Sequence, residues 1–338
     1  MDRKKIIYFL IGISLLGIFV YGFLSVQRES LNITPGLPYS KQLPEPSIPN
    51  FISGKLPVSM SIKKEDFNFP AELGLLGVSS ETIKDSDAKQ IATNLQFPEE
   101  PLIVNDVREG TKFIWSTSKK FLFITPSTGT IKYGLNTPEP PEVTNKKLSL
   151  ESLIETVKSI LSQNKIVQQE EIKFSSIDYL KVNPISEGFQ KTTQTEAEVY
   201  QLNFTYKNSD YEILTLLPSK PLIFVQLLPD GSVFNLEVIH LKGVVNTNEK
   251  YAIKNYEDVL NDLENAKIVN LFNDRINLSE IKVGKIRSIE IDQIKLSYLL
   301  DSPSSKNLQP VFLLEGSINI LDSSANRVQL YLPAIKNP

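Results

Sequence analysis

His240 is the only histidine of the chain, and so the only side chain whose ordinary pKa lies near neutrality. It follows Val238 and Ile239 in an apolar run, a setting that favours a structural residue at the end of a strand over a lone catalytic base. The chain has no cysteine, which excludes thiol nucleophiles, disulfides and zinc sites of the usual cysteine and histidine kind. A Ser-His-Asp triad would have to use His240.

Carboxylate pairs are the next groups that could perform acid–base chemistry. The pairs 99–100 and 170–171, all glutamates, lie in polar, turn-like segments typical of solvated surface. Asp85-Ser86-Asp87 resembles the opening of a calcium loop, but the glycine at position six and the closing glutamate are missing. We therefore expect Ser86 to cap a helix. No glycine-rich phosphate loop is present, so the sequence predicts no catalytic, cofactor-binding or metal-binding residues and no enzyme.

Composition indicates a folded protein that does not bind nucleic acid. The 338 residues are 41% hydrophobic and 22% charged, which suffices for two or three domains with cores of their own. The formal net charge of −3 argues against nucleic acid as a partner, because phosphate neutralisation needs clustered lysine and arginine.

An almost uninterrupted apolar run occupies residues 6–26 and contains no charged residue. In a helix it would reach about 31 Å, the thickness of a bilayer's hydrocarbon core. Arg3, Lys4 and Lys5 precede it and only Arg28 follows closely, which predicts a cytoplasmic N-terminus and an extracytoplasmic remainder. Residues 1–28 are thus interpreted as a cytoplasmic tip and a single-pass membrane anchor in the lipid bilayer. The alternative, a cleaved signal peptide, would have a shorter apolar stretch and a small-residue cleavage site.

Residues 29–59 resemble a stalk. Six prolines with few apolar residues favour an extended, semi-rigid segment.

The remainder predicts an α+β fold, in which helices are followed by antiparallel strands. A first module, 60–137, combines a helix on the apolar residues Ala88, Ile91 and Ala92 with four strands, at 102–104, 113–116, 121–124 and 131–133, the second of which places Trp115 in the core. A second, larger α+β domain, 142–338, begins with a helix that Ser149 caps and whose apolar stripe includes Leu153, Val157 and Leu161. Strands are predicted at 172–174, 198–206, 211–217 and 222–228, and a turn at 229–231 joins the last of these to a strand at 233–241. Further strands are predicted at 286–291, 294–300, 310–315, 317–321 and 328–332. A further helix capped by Asn255 gives an alternative division of this domain into two modules, 147–243 and 250–336.

Two families resemble parts of this chain. The segment 123–131, FITPSTGTI, is an aromatic strand that ends in a Thr-Gly turn before another strand, and with the preceding helix it resembles the PepSY-type module. The C-terminal segments 294–298 (IKLSY), 308–312 (LQPVF) and 331–335 (YLPAI) are similar to the YycI and YycH type of membrane-anchored regulators. The long proline stalk and the leucine-rich strands at 216–228 depart from that pattern.

The resemblance implies helix-plus-sheet modules outside the membrane that act by protein contact, on a sensor kinase in the YycI and YycH type or on a peptidase in the PepSY type. We therefore expect a membrane-anchored binding or regulatory protein with a partner in the membrane or cell envelope. A structural subunit of a secretion or pilus-type envelope assembly is the alternative, and a Ser-Lys hydrolase is the third hypothesis. The sequence leaves the oligomeric state and the contact surface open.

Overall fold

The computed structural model describes residues 43–336, apart from residues 53, 80–82, 99, 108–109, 138, 142–147, 184–187, 208–209, 273–277, 279–280, 303–304 and 322–325. The predicted anchor at 6–26 and the first part of the predicted stalk, 29–42, lie outside the described residues. Among the helices that are described, none is both long enough and apolar enough to cross a membrane.

Three α-helices occur in this part of the chain, each where the sequence predicts one: α1 (Asp85–Asn94), α2 (Leu150–Gln163) and α3 (Tyr256–Asp262). Ser149 caps α2 as predicted, since its side chain accepts a hydrogen bond from the Ser152 backbone N–H at 3.2 Å. Asn255 caps α3 in a reciprocal arrangement with Asp258. The predicted cap at Ser86 is wrong, because α1 begins at Asp85 after Lys84, which makes no side-chain cap.

Nine of the strands form one antiparallel sheet. Their order across the sheet is β3-β4-β5-β6-β12-β11-β9-β7-β8, and every neighbouring pair is antiparallel. The strands are β3 (Leu102–Asp106), β4 (Gly110–Ser116), β5 (Lys120–Thr125), β6 (Thr130–Leu135), β7 (Ile172–Val182), β8 (Phe189–Lys191), β9 (Val199–Tyr206), β11 (Ile223–Leu227) and β12 (Val233–Ile239).

The second sheet has eight strands, in which strands from the beginning and the end of the described chain pair. Its central order is β1-β15-β16-β17-β14; β10 also pairs with β15, and β2 pairs with both β13 and β16. The strands are β1 (Val58–Met60), β2 (Glu72–Ser79), β10 (Ile213–Thr215), β13 (Lys242–Ala252), β14 (Lys267–Leu271), β15 (Ile286–Leu300), β16 (Asn307–Ile320) and β17 (Asn326–Pro333). The expectation of an α+β fold with mainly antiparallel sheets is thereby confirmed.

The main core lies between the nine-stranded sheet and two helices. Leu153, Val157 and Leu161 of α2 and the small apolar side of α1 belong to one buried cluster with alternate residues of the central strands. Trp115 of β4 is fully buried in this cluster, as predicted.

The nine-stranded sheet runs through the boundary predicted near residues 138–141. Strand β6 of the predicted module 60–137 pairs with β12 of the predicted domain 142–338, from Thr130 opposite Ile239 to Gly134 opposite Asn235. Strand β12 belongs to the nine-stranded sheet, and the next strand, β13, belongs to the second sheet. This change of sheet lies near the limit predicted between 147–243 and 250–336. The domain limits themselves stay predictions.

Candidate functional site

His240 lies directly after β12, where the chain leaves the nine-stranded sheet. Its backbone N–H donates to the Gly129 carbonyl at 2.9 Å. A Cβ atom on Gly129 would lie 2.6 Å from the His240 carbonyl oxygen, and Gly129 has a φ of +64°, so this approach requires glycine. The location agrees with the strand-end position predicted from the sequence.

The Tyr206 hydroxyl of β9 holds the chain on both sides of His240. It donates to the Ile239 carbonyl and accepts from the Leu241 N–H, both at 2.9 Å. Burial raises the pKa of Tyr206 far above its ordinary value, so the hydroxyl keeps the proton that it donates.

Burial also lowers the pKa of His240, with a smaller lowering from Lys242, while the carboxylates of Glu171 and Asp87 act in the opposite direction. This lowering favours the neutral form of the imidazole.

Ser86, Asp87 and His240, three residues considered for chemistry in the sequence, line one cavity of about 250 Å³. The cavity opens between the first turn of α1, the segment at Lys165 and the beginning of β13. A triad needs the imidazole between a serine hydroxyl and a carboxylate. Here the Ser86 hydroxyl lies 3.5 Å from the Asp87 carboxylate instead, and the imidazole makes no hydrogen bond to either residue. The structure brings the three side chains together without the order that nucleophilic catalysis requires.

A Ser-x-x-Lys spacing at the beginning of a helix escaped the sequence analysis: Ser86 and Lys89 lie in the first turns of α1. The Lys89 ammonium lies 3.4 Å from the Glu100 carboxylate, across the helix end rather than on the serine. This arrangement does not provide a serine with a neutral amine as its base.

The structure describes three of the four glutamates in the two glutamate pairs. Glu171 ends a 3-10 turn at Gln169–Glu171, where its carboxylate accepts from the Gln168 backbone N–H at 3.2 Å. Glu99 lies outside the described residues.

Changing Tyr206 to phenylalanine is expected to lower the free energy of unfolding by about 1–3 kcal/mol, because the Ile239 carbonyl and the Leu241 N–H lose their shared hydrogen-bond partner. The phenyl ring still fills the space of the tyrosine ring, so no cavity is created. Urea unfolding followed by circular dichroism measures this change. Tyr251→Phe is the matched control, since its hydroxyl bonds an exposed Glu249 side chain. Equal effects of the two substitutions would contradict the role assigned to Tyr206.

The edge of the nine-stranded sheet at β3 differs from the rest of the sheet in its exposed apolar residues. Strand β3 is at one end of the sheet order, and it pairs with β4 along one side only, within the part of the chain that the structure describes. Leu102 is 65% exposed, Ile103 57% and Val104 39%. A strand edge with free backbone groups and exposed apolar side chains is a template for pairing with another chain.

The apolar surface continues from β3 over the face of the sheet opposite the helices. Leu102 pairs with Ile114 of β4, and Ile114 pairs with Phe123 of β5. Phe123 is itself exposed, and its ring centroid lies 5.0 Å from that of Phe121. We call the five residues Leu102–Asp106 the β3 edge, and the side chains of Leu102, Val104, Ile114, Phe121 and Phe123 its apolar face.

Charge at the β3 edge is neutralised within the sheet. Asp106 forms an ion pair with Lys112 of β4 at 3.1 Å. Among its five residues Asp106 carries the only ionisable group. The sequence indicated a strand at 102–104 but not an edge, because strand order depends on pairings made elsewhere in the chain.

No family model matches this chain, and no curated protein matches it. Among solved structures, an uncharacterized protein from Eubacterium rectale ATCC 33656 is 13% identical at a TM-score of 0.48, over 85% of this chain and 90% of that chain. YycH from Bacillus subtilis is 14% identical at a TM-score of 0.28, over 68% of this chain and 52% of YycH, so the match spans about half of YycH. YycH is therefore a distant structural neighbour, and neither likeness bears on function. The resemblance to YycI and to the PepSY-type module stays a prediction.

Proposed function

We propose that this chain is a non-catalytic binding protein of the cell envelope, held in the membrane by residues 6–26, with its folded part outside and in contact with another protein through the β3 edge. The observation that carries the proposal is the exposure of Leu102, Ile103 and Val104 on a strand whose second side pairs with no described strand. A partner strand added there would gain main-chain hydrogen bonds for affinity and side-chain contacts for specificity.

The chemistry of the β3 edge specifies the partner segment. Because Asp106 is paired with Lys112, the edge offers no unpaired charge for a strongly basic or acidic peptide. The apolar face instead fits an extended segment with apolar residues at alternate positions, since alternate side chains of a strand point to the same face. The partner is therefore an envelope or membrane protein that presents such a segment.

The anchor and stalk support the same proposal from the sequence. An apolar run of 21 residues preceded by three basic residues would hold the folded part near the membrane. Confinement to that surface raises the effective concentration of a membrane partner, so a moderate affinity at the β3 edge would suffice.

Site-specific photo-cross-linking in intact cells tests the proposal. A photoreactive phenylalanine analogue in place of Val104 is expected to give one dominant adduct with another envelope protein. The same analogue in place of Val245, a valine of β13 that is 57% exposed, is the matched control and is expected to give none. Identical adducts at both positions, or no adduct at Val104, would refute the β3 edge as the contact surface; an adduct with a second copy of this chain would identify self-association instead.

A further inference from the structure

The cavity of about 250 Å³ beside His240 has an apolar floor and a polar rim. The floor consists of Ile83, Ile91 and Ile166, which are 6%, 3% and 1% exposed. His240 on the rim is half-buried, and the other rim residues are exposed. We call this cavity the α1 cavity; its rim residues are Ser86, Asp87, Gln90, Lys165, His240 and Lys242.

Two groups of opposite charge on the rim have no ion-pair partner. Within the part of the chain that the structure describes, the Lys165 ammonium and the Asp87 carboxylate pair neither with each other nor with another side chain. The Asp87 carboxylate accepts only the long bond of 3.5 Å from the neighbouring Ser86 hydroxyl. A positive and a negative group above an apolar floor are complementary to a ligand that has an anionic group, a cationic group and an apolar part.

The other charged groups near the rim favour the anionic part of such a ligand. Lys242 also lines the α1 cavity, so two ammonium groups stand there against one carboxylate, and the lowered pKa of His240 favours a neutral imidazole beside them. The Glu171 carboxylate acts on His240 from outside the lining. It already accepts a hydrogen bond from the Gln168 backbone N–H at 3.2 Å.

Lys165 occupies a backbone position at which glycine is the usual residue. It follows Asn164, the C-cap of α2, with a φ of +57°, in the left-handed region that favours glycine. The bonds of this helix ending are made by the backbone alone, from Lys165 to Ser162 at 2.9 Å and from Ile166 to Leu161 at 2.8 Å. The ending therefore requires no side chain at position 165, and the ammonium group is left for a ligand.

The volume of the α1 cavity limits the size of the ligand. About 250 Å³ is far above the roughly 10–15 Å³ that one water needs. It is below the roughly 300–1,000 Å³ of sites for drug-sized molecules. A molecule of the size of a free amino acid lies between these limits.

We propose that the α1 cavity binds a free α-amino acid with an apolar side chain. The ligand's carboxylate lies at Lys165, its ammonium group lies at Asp87, and its side chain lies on the isoleucine floor. The α1 cavity shares no residue with the β3 edge, so this proposal does not depend on the proposed function.

Titration with leucine and two of its fragments tests the chemistry of the ligand. The compound 4-methylpentanoate lacks the amino group of leucine, and 3-methylbutylamine lacks its carboxylate. Calorimetry of the full-length protein in detergent is expected to give a dissociation constant for leucine in the millimolar range or lower, and at least about tenfold weaker binding of both fragments. Absence of leucine binding, or binding of either fragment as tight as that of leucine, would overturn the proposal.

Lys165→Gly tests the contact with the ligand's carboxylate. The substitution is expected to weaken leucine binding by at least about tenfold. The melting temperature of the free protein should stay unchanged or rise, because glycine adopts this φ without strain. A lysine with a merely structural role would not give this combination, and native leucine binding by Lys165→Gly would overturn the proposal.

Gln96→Gly is the matched control for the change of backbone. Gln96 follows the C-cap of α1 with a φ of +59° and with the same two bonds of the helix ending, but it does not line the α1 cavity. This variant is expected to bind leucine as the native protein does. Equal losses of affinity in Gln96→Gly and Lys165→Gly would assign the effect to the backbone and overturn the proposal.

Asp87→Asn tests the contact with the ligand's ammonium group. It is expected to weaken the binding of leucine but not that of 4-methylpentanoate, so the ratio of the two affinities should fall by at least about tenfold. An unchanged ratio would show that Asp87 does not contact the ammonium group and would overturn the assignment of an amino acid.

Discussion

Replacing Val104 with lysine is expected to weaken binding of the partner segment by more than about tenfold, because a central apolar contact of an edge-strand complex is worth about 2 kcal/mol. An ammonium group at this position would have to be desolvated when the partner strand covers it, and the edge offers it no carboxylate, since Asp106 is already paired with Lys112. Lysine on an edge strand is also the residue by which natural sheets prevent pairing with other chains. The affinity of the variant can be measured by calorimetry with a peptide that carries the cross-linked segment.

The stability of the folded protein separates a binding effect from a folding effect. Val104 is on the surface, so Val104→Lys should change the free energy of unfolding by no more than about 0.5 kcal/mol. Val245→Lys makes the same chemical change on β13, and both affinity and stability should stay close to native. The β3 edge would be excluded as the contact if Val104→Lys bound the peptide as tightly as the native protein does.

Gly316→Ala is expected to cause the largest loss of stability, about 3 kcal/mol or more, or complete failure to fold. Gly316 is buried in the middle of β16, opposite Ile291 of β15. A Cβ atom there would overlap the Glu290 carbonyl group, with 2.8 Å to its carbon and 2.9 Å to the Ile291 Cα. These atoms belong to the backbone of the central strand pair, so no side-chain rotation relieves the overlap.

Gly284→Ala is the control for the loss of glycine itself. A Cβ on Gly284 would meet no atom within 4 Å, and its backbone does not require a positive φ. Its substitution should leave stability unchanged or raise it by up to about 1 kcal/mol, through the unfolded state. Denaturant midpoints of the two variants give the comparison, and similar midpoints would show that β15 and β16 are not held at the spacing described.

Local patterns in the sequence predicted the elements that depend on local physics. The stripe of Leu153, Val157 and Leu161 predicted α2, and Ser149 predicted where it begins, because helical spacing and capping depend on residues within a few positions of each other. The turn at 229–231 correctly joined β11 to β12, with Gly231 at a φ of +87°.

Strands whose partners are distant in sequence were harder to predict. Strands β2 and β13 were both missed: the first contains Gly74 and Gly77, and the second is largely polar. They stabilise each other, and a Cβ on Gly74 would lie only 2.9 Å from the Thr247 carbonyl oxygen. Gly74 therefore marks a close strand approach, which sequence alone does not distinguish from a loop.

The predicted strands at 286–291 and 294–300 are one strand, β15, with an irregularity between Ile291 and Gln293. The predicted strand at 211–217 is reduced to the three residues of β10, which run parallel to β15. In both cases the tertiary partner decides where the strand begins and ends, and a single-sequence pattern contains no information on that partner. The same reason hid the β3 edge, since an edge depends on strand order.

The pairing of β1 and β2 with β15 and β16 has a consequence for biosynthesis. The ribosome releases β2 more than two hundred residues before its partner Leu308 is made, so the emerging chain carries strands that cannot yet pair. Such nonlocal pairing slows folding and prolongs the exposure of unpaired strands to aggregation. We therefore expect the second sheet to form only after synthesis is nearly complete. A chain that is shortened at its C-terminal end is expected to leave β1 and β2 without these partners.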